Sequence, residues 1–277
     1  MIARIAGAVT RGTLVALVVA MPSLLLAGYM SDTSEMVVLI AILAGVLTFA
    51  EYNTDFPSFI EFRDAPPVNR IRFIALFVMF ASLSLAAKHQ FEPTAITGLV
   101  HHIGGLIGRF ADFPFSPVRL VLLLLPEGTA EQTINSVRIA AGVTYTTAVV
   151  SVLFFLFSVR VLGWPISSGA FNVWVNLPLF DPTTGGDVVH RLQRDGRINI
   201  IVGFLLPFIF PALIKIASEI VDPISLDSPL TVIWCLSAWA FLPASMVMRG
   251  IAISRISDLI REKRRRVYAS AESMQAA

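Results

Sequence analysis

The sequence predicts an all-α, polytopic membrane helix bundle: six transmembrane helices with an amphipathic helix in the outer interface. Three observations carry this. Of 277 residues, 56% are hydrophobic and 14% charged, whereas soluble domains are about a quarter charged. Six apolar runs, at about residues 12–30, 36–50, 73–87, 139–159, 198–214 and 230–248, contain no Asp, Glu, His, Lys or Arg. When the intervening segments are assigned alternately to two sides, sixteen of the 21 Lys and Arg fall on one side. Basic residues are held back in the cytoplasm. A multi-pass protein of the cell (inner) membrane, with both termini cytoplasmic, is therefore expected.

Residues Met1–Arg11 carry Arg4 and Arg11 ahead of the first apolar run. A secretory signal has this shape, but the run is long and no A-x-A cleavage site follows, so a retained helix is expected. Asp32 and Glu35 have capping-box spacing before the second span. Within that span, Ala41 and Gly45 form a small-xxx-small pair suited to close helix contact.

The connection from Glu51 to Arg72 interleaves Arg63, Arg70 and Arg72 with Phe56, Phe59, Ile60 and Phe62. Pro57, Pro66 and Pro67 prevent one continuous helix there. Two readings stand: rings and guanidiniums at headgroup depth, or a docking surface for a partner. The third span is short, and Arg72 and Lys88 at its ends are expected to snorkel outward.

The segment 94–126 is the amphipathic one. Ile96, Leu99, Val100, Ile103, Leu106, Ile107 and Phe110 recur at helical spacing, with His101, His102 and Arg109 around the remainder. Val118–Leu125, between Pro117 and Pro126, is too short to cross alone and is expected to pack or re-enter. Thr129 and Gln132 have capping-box spacing ahead of the fourth span.

After Arg160, the strip Phe171–Phe180 reads as hugging the interface, with Trp164 and Trp174 as anchors. Arg191, Arg194 and Arg197 are expected on a short helix of their own. Pro207 and Pro211, one turn apart, should kink or break the fifth span. Lys215 and Glu219 have pairing distance beyond it, and Asp227 or Ser228 should cap the last span, with Pro229 at its first position. Residues 249–277 form a basic cytoplasmic tail. Ile253, Ile256, Leu259, Ile260 and Val267 give it an apolar edge, so it is expected on anionic lipid headgroups of the inner leaflet rather than on nucleic acid.

Catalytic chemistry is largely missing from the sequence. No span carries an ionisable group of the kind that pumps and proton-coupled carriers use. Cys235, the sole cysteine, excludes a dithiol framework. His101 and His102 are adjacent, so on a helix they point ~100° apart and do not chelate from one face. His89 and Glu92 have usable spacing only on a helix. Thr144, Tyr145, Thr146 and Thr147 cluster as hydroxyls and read as interhelical glue.

His190 with Asp195, and Pro126–Thr129, resemble the general-base and phosphate-binding motifs of glycerolipid acyltransferases. Here they run in reversed order and fall on opposite sides of the bilayer, so they do not form one site. Thr183–Gly186 and Ser167–Gly169 are loop turns without a P-loop pattern. No catalytic, cofactor-binding or metal-ligating residue is expected, and an enzyme is the weaker expectation.

The expected function is an accessory, assembly or scaffold component of a membrane complex, with other membrane subunits as partners. The alternative is a permease or channel for a neutral or lipid-like solute, using the proline-broken fifth helix.

Overall fold

The computed structural model describes residues 2–29, 34–165, 171–181, 183, 185–218, 226 and 228–275. Its helices are α1 (Ile2–Leu25), α2 (Ser34–Asn53), α3 (Val68–Lys88), α4 (Ala95–Ala111), α5 (Pro117–Leu122), α6 (Glu131–Arg160), α7 (Val173–Asn176), α8 (Val188–Ala217) and α9 (Pro229–Gln275). Six of them, α1, α2, α3, α6, α8 and α9, are long and apolar enough to cross a membrane. Among the described residues the architecture is all-helical, as the long charge-free runs predict, and is compatible with a multi-pass membrane protein.

The long helices overrun the apolar cores. At ~1.5 Å per residue, α6 and α8 span about 45 Å and α9 about 70 Å, against a hydrocarbon layer of about 30 Å. Flanking arginines do not stop a helix, because their long apolar stems suit it. Hence α1 begins at Ile2 and contains Arg4 and Arg11, then ends in a turn where Gly28 takes φ +87°. Arg191, Arg194 and Arg197 sit in the first turns of α8 and not on a separate helix. The basic tail is likewise a direct continuation of α9.

Much of the apolar surface faces outward. Leu39, Ile42, Leu43 and Val46 on α2 are exposed, as are Ile201, Phe204 and Leu213 on α8. Buried polar groups in the bundle are mostly hydroxyls. This distribution suits lipid as the surrounding medium, since water would leave those patches without compensation.

Where helices meet most closely, glycine makes room. A Cβ on Gly45 would lie 3.0 Å from the Gly12 carbonyl oxygen, which bears out the expected close contact at Ala41 and Gly45. A Cβ on Gly250 would lie 2.6 Å from the Gly196 carbonyl oxygen, so α8 and α9 form a hairpin with backbones nearly touching.

Helix α4 forms as its periodicity predicts, and Thr94 and Thr97 close a capping box at its start. Its stripe Ile96, Leu99, Ile103, Leu106 and Phe110 is exposed. The buried side is small: Gly104, Gly105, Gly108 and Ala111. Gly108 lies against Gly142 of α6, whose added Cβ would be 2.5 Å from the Gly108 Cα. Behind it, Val118 and Val121 of α5 are buried in the bundle end.

Three local expectations are corrected. The Thr129 hydroxyl donates to the Pro126 carbonyl, and α6 starts after Ala130 without a side-chain cap. Thr144 and Thr147 donate to Ala140 and Val143, one turn back on their own helix, so they do not glue helices together. Of the kink or break expected at Pro207 and Pro211, the break does not occur, since α8 is one helix through both. Proline at 211 removes the N–H that would serve the Pro207 carbonyl; the Trp239 indole N–H of α9 donates there instead, at 3.2 Å. Pro229 does begin α9. The expected roles of Asp32, Glu219 and Asp227 lie outside the described residues.

Candidate functional site

The densest polar arrangement lies at the arginine-rich end, where the connections between α2 and α3 and between α6 and α8 meet α9. It starts from Glu51 at the end of α2. Its carboxylate accepts the backbone N–H groups of Ser58, Phe59 and Ile60 and the Ser58 hydroxyl. That fixes the turn through Pro57 and carries the chain back toward the bundle.

Phe62 follows, buried and at φ 56°. A left-handed non-glycine residue costs of order 1–3 kcal/mol and persists only where its surroundings over-determine it. Here they do. Its N–H donates to the Asn176 carbonyl at 2.8 Å, and the Asp64 N–H donates to Asn176 Oδ1 at 2.9 Å. Asn69 donates to the Glu61 carbonyl at 2.8 Å. The Glu61 carboxylate, 6% exposed, is gripped by Arg249 through Nε at 2.6 Å and Nη2 at 2.8 Å. A bidentate pair of this kind is the strong form of a charge-assisted bond.

An aromatic core sits beneath. Trp164 is 1% exposed and packs edge-on against Phe62 and Phe155, with ring centroids 6.1 and 5.3 Å away. Its indole N–H donates to the Ala65 carbonyl, and Arg255 Nε donates to the Trp164 carbonyl, each at 3.4 Å. Leu177, Phe180, Leu192, Met248, Ile253 and Ile256 complete the cluster.

Four expectations change as a result. Trp164 is a core residue and not an interface anchor, and the strip carrying Leu177 and Phe180 packs on protein. The side chain of Trp174 is outside the described set. Arg72 does not snorkel outward: Nη2 donates to the Ser245 carbonyl at 3.0 Å and its Nε is sealed without a partner. Lys88, in contrast, reaches past the end of α3 to the half-exposed Glu92 at 3.0 Å. Finally, Ile253 and Ile256 are covered by protein, so the free part of the tail begins near Arg261.

Around this core several apolar side chains project. Phe56 is 87% exposed, and Phe59, Val161, Leu162 and Leu179 are exposed as well. Beyond it, α8 and α9 extend together, with Arg264 pairing Asp187 at 2.6 Å. Arg264 holds the Asp187 carboxyl below its ordinary range.

The opposite end holds two cavities with largely apolar walls. A cavity of about 490 Å³ is lined by Val121, Leu125, Pro211, Ile214, Leu236 and Trp239, among others. A smaller one of about 190 Å³ adjoins it across Thr133 and Leu226. Asp112 is the fixed charge at this end, 6% exposed between Arg119 at 2.7 Å and Arg138 at 3.0 Å.

The sequence candidates for chemistry do not converge. His89 Nδ1 is 3.1 Å from the Thr97 hydroxyl, with its ring beside that of His101. Among the described residues no three His, Cys, Asp or Glu side chains are grouped to hold a metal ion. His190 opens α8, whereas Pro126 and Glu127 line the cavity at its far end with Ile214. Asp181 accepts the Thr183 N–H and hydroxyl, which fills that turn from within. The turn at 167–169 is outside the described residues. What sequence reasoning missed is the Glu61–Arg249 pair, 188 positions apart and without a local signature.

Compared with known proteins, the chain matches no family model, no curated protein and no solved structure.

Proposed function

We propose that this chain is an accessory, assembly or scaffold component of a membrane complex, set in the inner membrane with both termini cytoplasmic. The supporting observation is the locked arginine-rich end. Two inter-helix connections and α9 are cross-tied through Glu61, Arg249, Asn176 and Trp164. Projecting from that rigid base are exposed Phe56 and Phe59 and the α8–α9 extension. A pre-ordered base lowers the entropy lost on docking, which is the property a scaffold uses. The far end of α9, with Lys263, Arg265 and Arg266, adds attraction to anionic headgroups of the same leaflet.

The alternative, a permease or channel for a neutral or lipid-like solute, draws on the 490 Å³ cavity, which lies in the size range of small-ligand sites. Against it stand the unbroken α8 and the bond from Trp239 that stabilises it. Discontinuous helices are a frequent basis of transporter sites.

A photo-crosslinking amino acid at Phe56 tests the scaffold reading in intact membranes. Adducts of one discrete protein mass, absent when the label is moved to lipid-facing Leu39, are expected. Adducts to lipid alone at position 56 would defeat it.

A further inference from the structure

Between the N-terminal turns of α1 and the connection after α2 lies a polar cavity of about 350 Å³, lined by Ala3, Arg4, Arg11, Tyr52, Arg63 and Asp64. Its charged groups differ in how far they are already satisfied. Arg4 is paired with Asp55. Arg63 is nearly buried and donates Nη1 to the carbonyls of Glu51 and Thr54, both at 2.8 Å, which fixes its guanidinium as a wall. The Glu51 carboxylate is occupied by the turn at residues 58–60 and offers nothing to the cavity's arginines.

Arg11 is the group left short. It is exposed on α1, nine residues and thus ~14 Å from the helix start, immediately before the charge-free run 12–30 that the lipid would cover. Its guanidinium folds back over the Tyr52 ring, 4.7 Å from the centroid, and one nitrogen donates to the Gly7 carbonyl at 2.9 Å. Gly7 permits this: an added Cβ there would lie 2.8 Å from Arg11 Nη1. The remaining N–H groups have no acceptor among the described residues. In lipid such donors are costly, and the acceptor present at this depth is phospholipid phosphate.

Asp64 sets the kind of lipid. Its carboxylate has one ion-pair contact, with Arg63 at a long 3.6 Å, and is otherwise open. A carboxylate among guanidiniums opposes a purely anionic headgroup and suits one that carries a primary ammonium beside its phosphate. We propose that this cavity binds the phosphoethanolamine headgroup of a membrane lipid, with phosphate on Arg11 and Arg63 and ammonium on Asp64. The site depends on the helices being membrane spans and is independent of the scaffold reading.

The test uses the full chain in mild detergent, stripped of lipid and then offered palmitoyl-oleoyl phosphatidylethanolamine, phosphatidylglycerol or phosphatidylcholine. Retained lipid is measured by native mass spectrometry and stability by thermal unfolding. Phosphatidylethanolamine is expected to be held roughly tenfold better than phosphatidylcholine, whose quaternary ammonium has no hydrogen to donate. Arg11→Gln should abolish the retention, and Gly7→Ala, which displaces the guanidinium without removing it, should weaken it. Asp64→Asn should shift the preference to phosphatidylglycerol. Equal retention of the three lipids by the wild-type chain, or unchanged retention in Arg11→Gln, would overturn the proposal. Stabilisation by soluble O-phosphoethanolamine but not by the lipid would overturn the lipid assignment. If a variant does not fold, the wild-type preference still decides.

Discussion

The two ends of the bundle solve the burial of charge differently. At the arginine-rich end, Glu61 and Arg249 close over an aromatic core, and the loops above it are hydrogen-bonded to one another. At the opposite end, Asp112 ties α5 to α6 through Arg119 and Arg138, and cavities of about 490 and 190 Å³ lie among α3, α5, α6, α8 and α9. Interiors are normally packed to crystal-like density. The contrast therefore separates an end whose aromatic core is tied by hydrogen bonds and whose cavity of about 350 Å³ is lined by charged side chains from an end whose cavities are lined mainly by apolar ones.

Core truncation at each end should break this comparison most sharply. Trp164→Ala removes a fully buried indole and should cost about 4 kcal/mol, whereas Leu236→Ala, which already borders the larger cavity, should cost about 2 kcal/mol. Equilibrium unfolding in detergent measures both, and equal losses would erase the distinction between the ends.

The ion pair comes next. Glu61→Leu leaves Arg249 partly buried and uncompensated, an expected loss of about 3 kcal/mol, and adding Arg249→Met should recover most of it. A double variant no better than the single would mean that the carboxylate acts mainly on the buried Arg72 and not through Arg249.

The smallest effect belongs to Asp187, which caps α8 and pairs with Arg264 in the exposed extension. Its folded-state pKa is lowered chiefly by the Arg264 hydrogen bond. The stabilisation is therefore complete at neutral pH and lost as pH falls through that lowered value. Amide exchange in the first turn of α8, corrected for intrinsic rates, should rise in acid. High salt should weaken the pair at any pH, and Asp187→Asn should remove the acid sensitivity.

Sequence reading reached the features that are local and repeated. Charge-free runs gave the six long helices, and the spacing of Ile96, Leu99, Ile103 and Phe110 gave α4. It did not reach features made by distant partners. Trp164 beside Pro165 looks like an interface anchor until Phe62 and Phe155 are brought against it. Pro207 and Pro211 look like a break until Trp239, on another helix, serves the orphaned carbonyl. Ile253 and Ile256 read as a lipid-facing edge because the residues they cluster with, Phe62, Trp164, Leu177 and Leu192, are distant in sequence. Of the candidate site, the connection 51–72 is legible from its interleaved arginines and rings, but the tie that orders it is not, since that pair joins residues 61 and 249.

The length of α9 has a geometric consequence. It is one helix from Pro229 to Gln275, and Arg249 anchors it to the bundle. The 26 residues beyond that anchor rise ~39 Å along the axis. Such an element is a yardstick: each residue inserted beyond Arg261 would advance its tip by ~1.5 Å and turn it by ~100°. Anything gripping Lys263, Arg265 or Arg266 would thus be held at a set height and bearing, written into the chain by residue count.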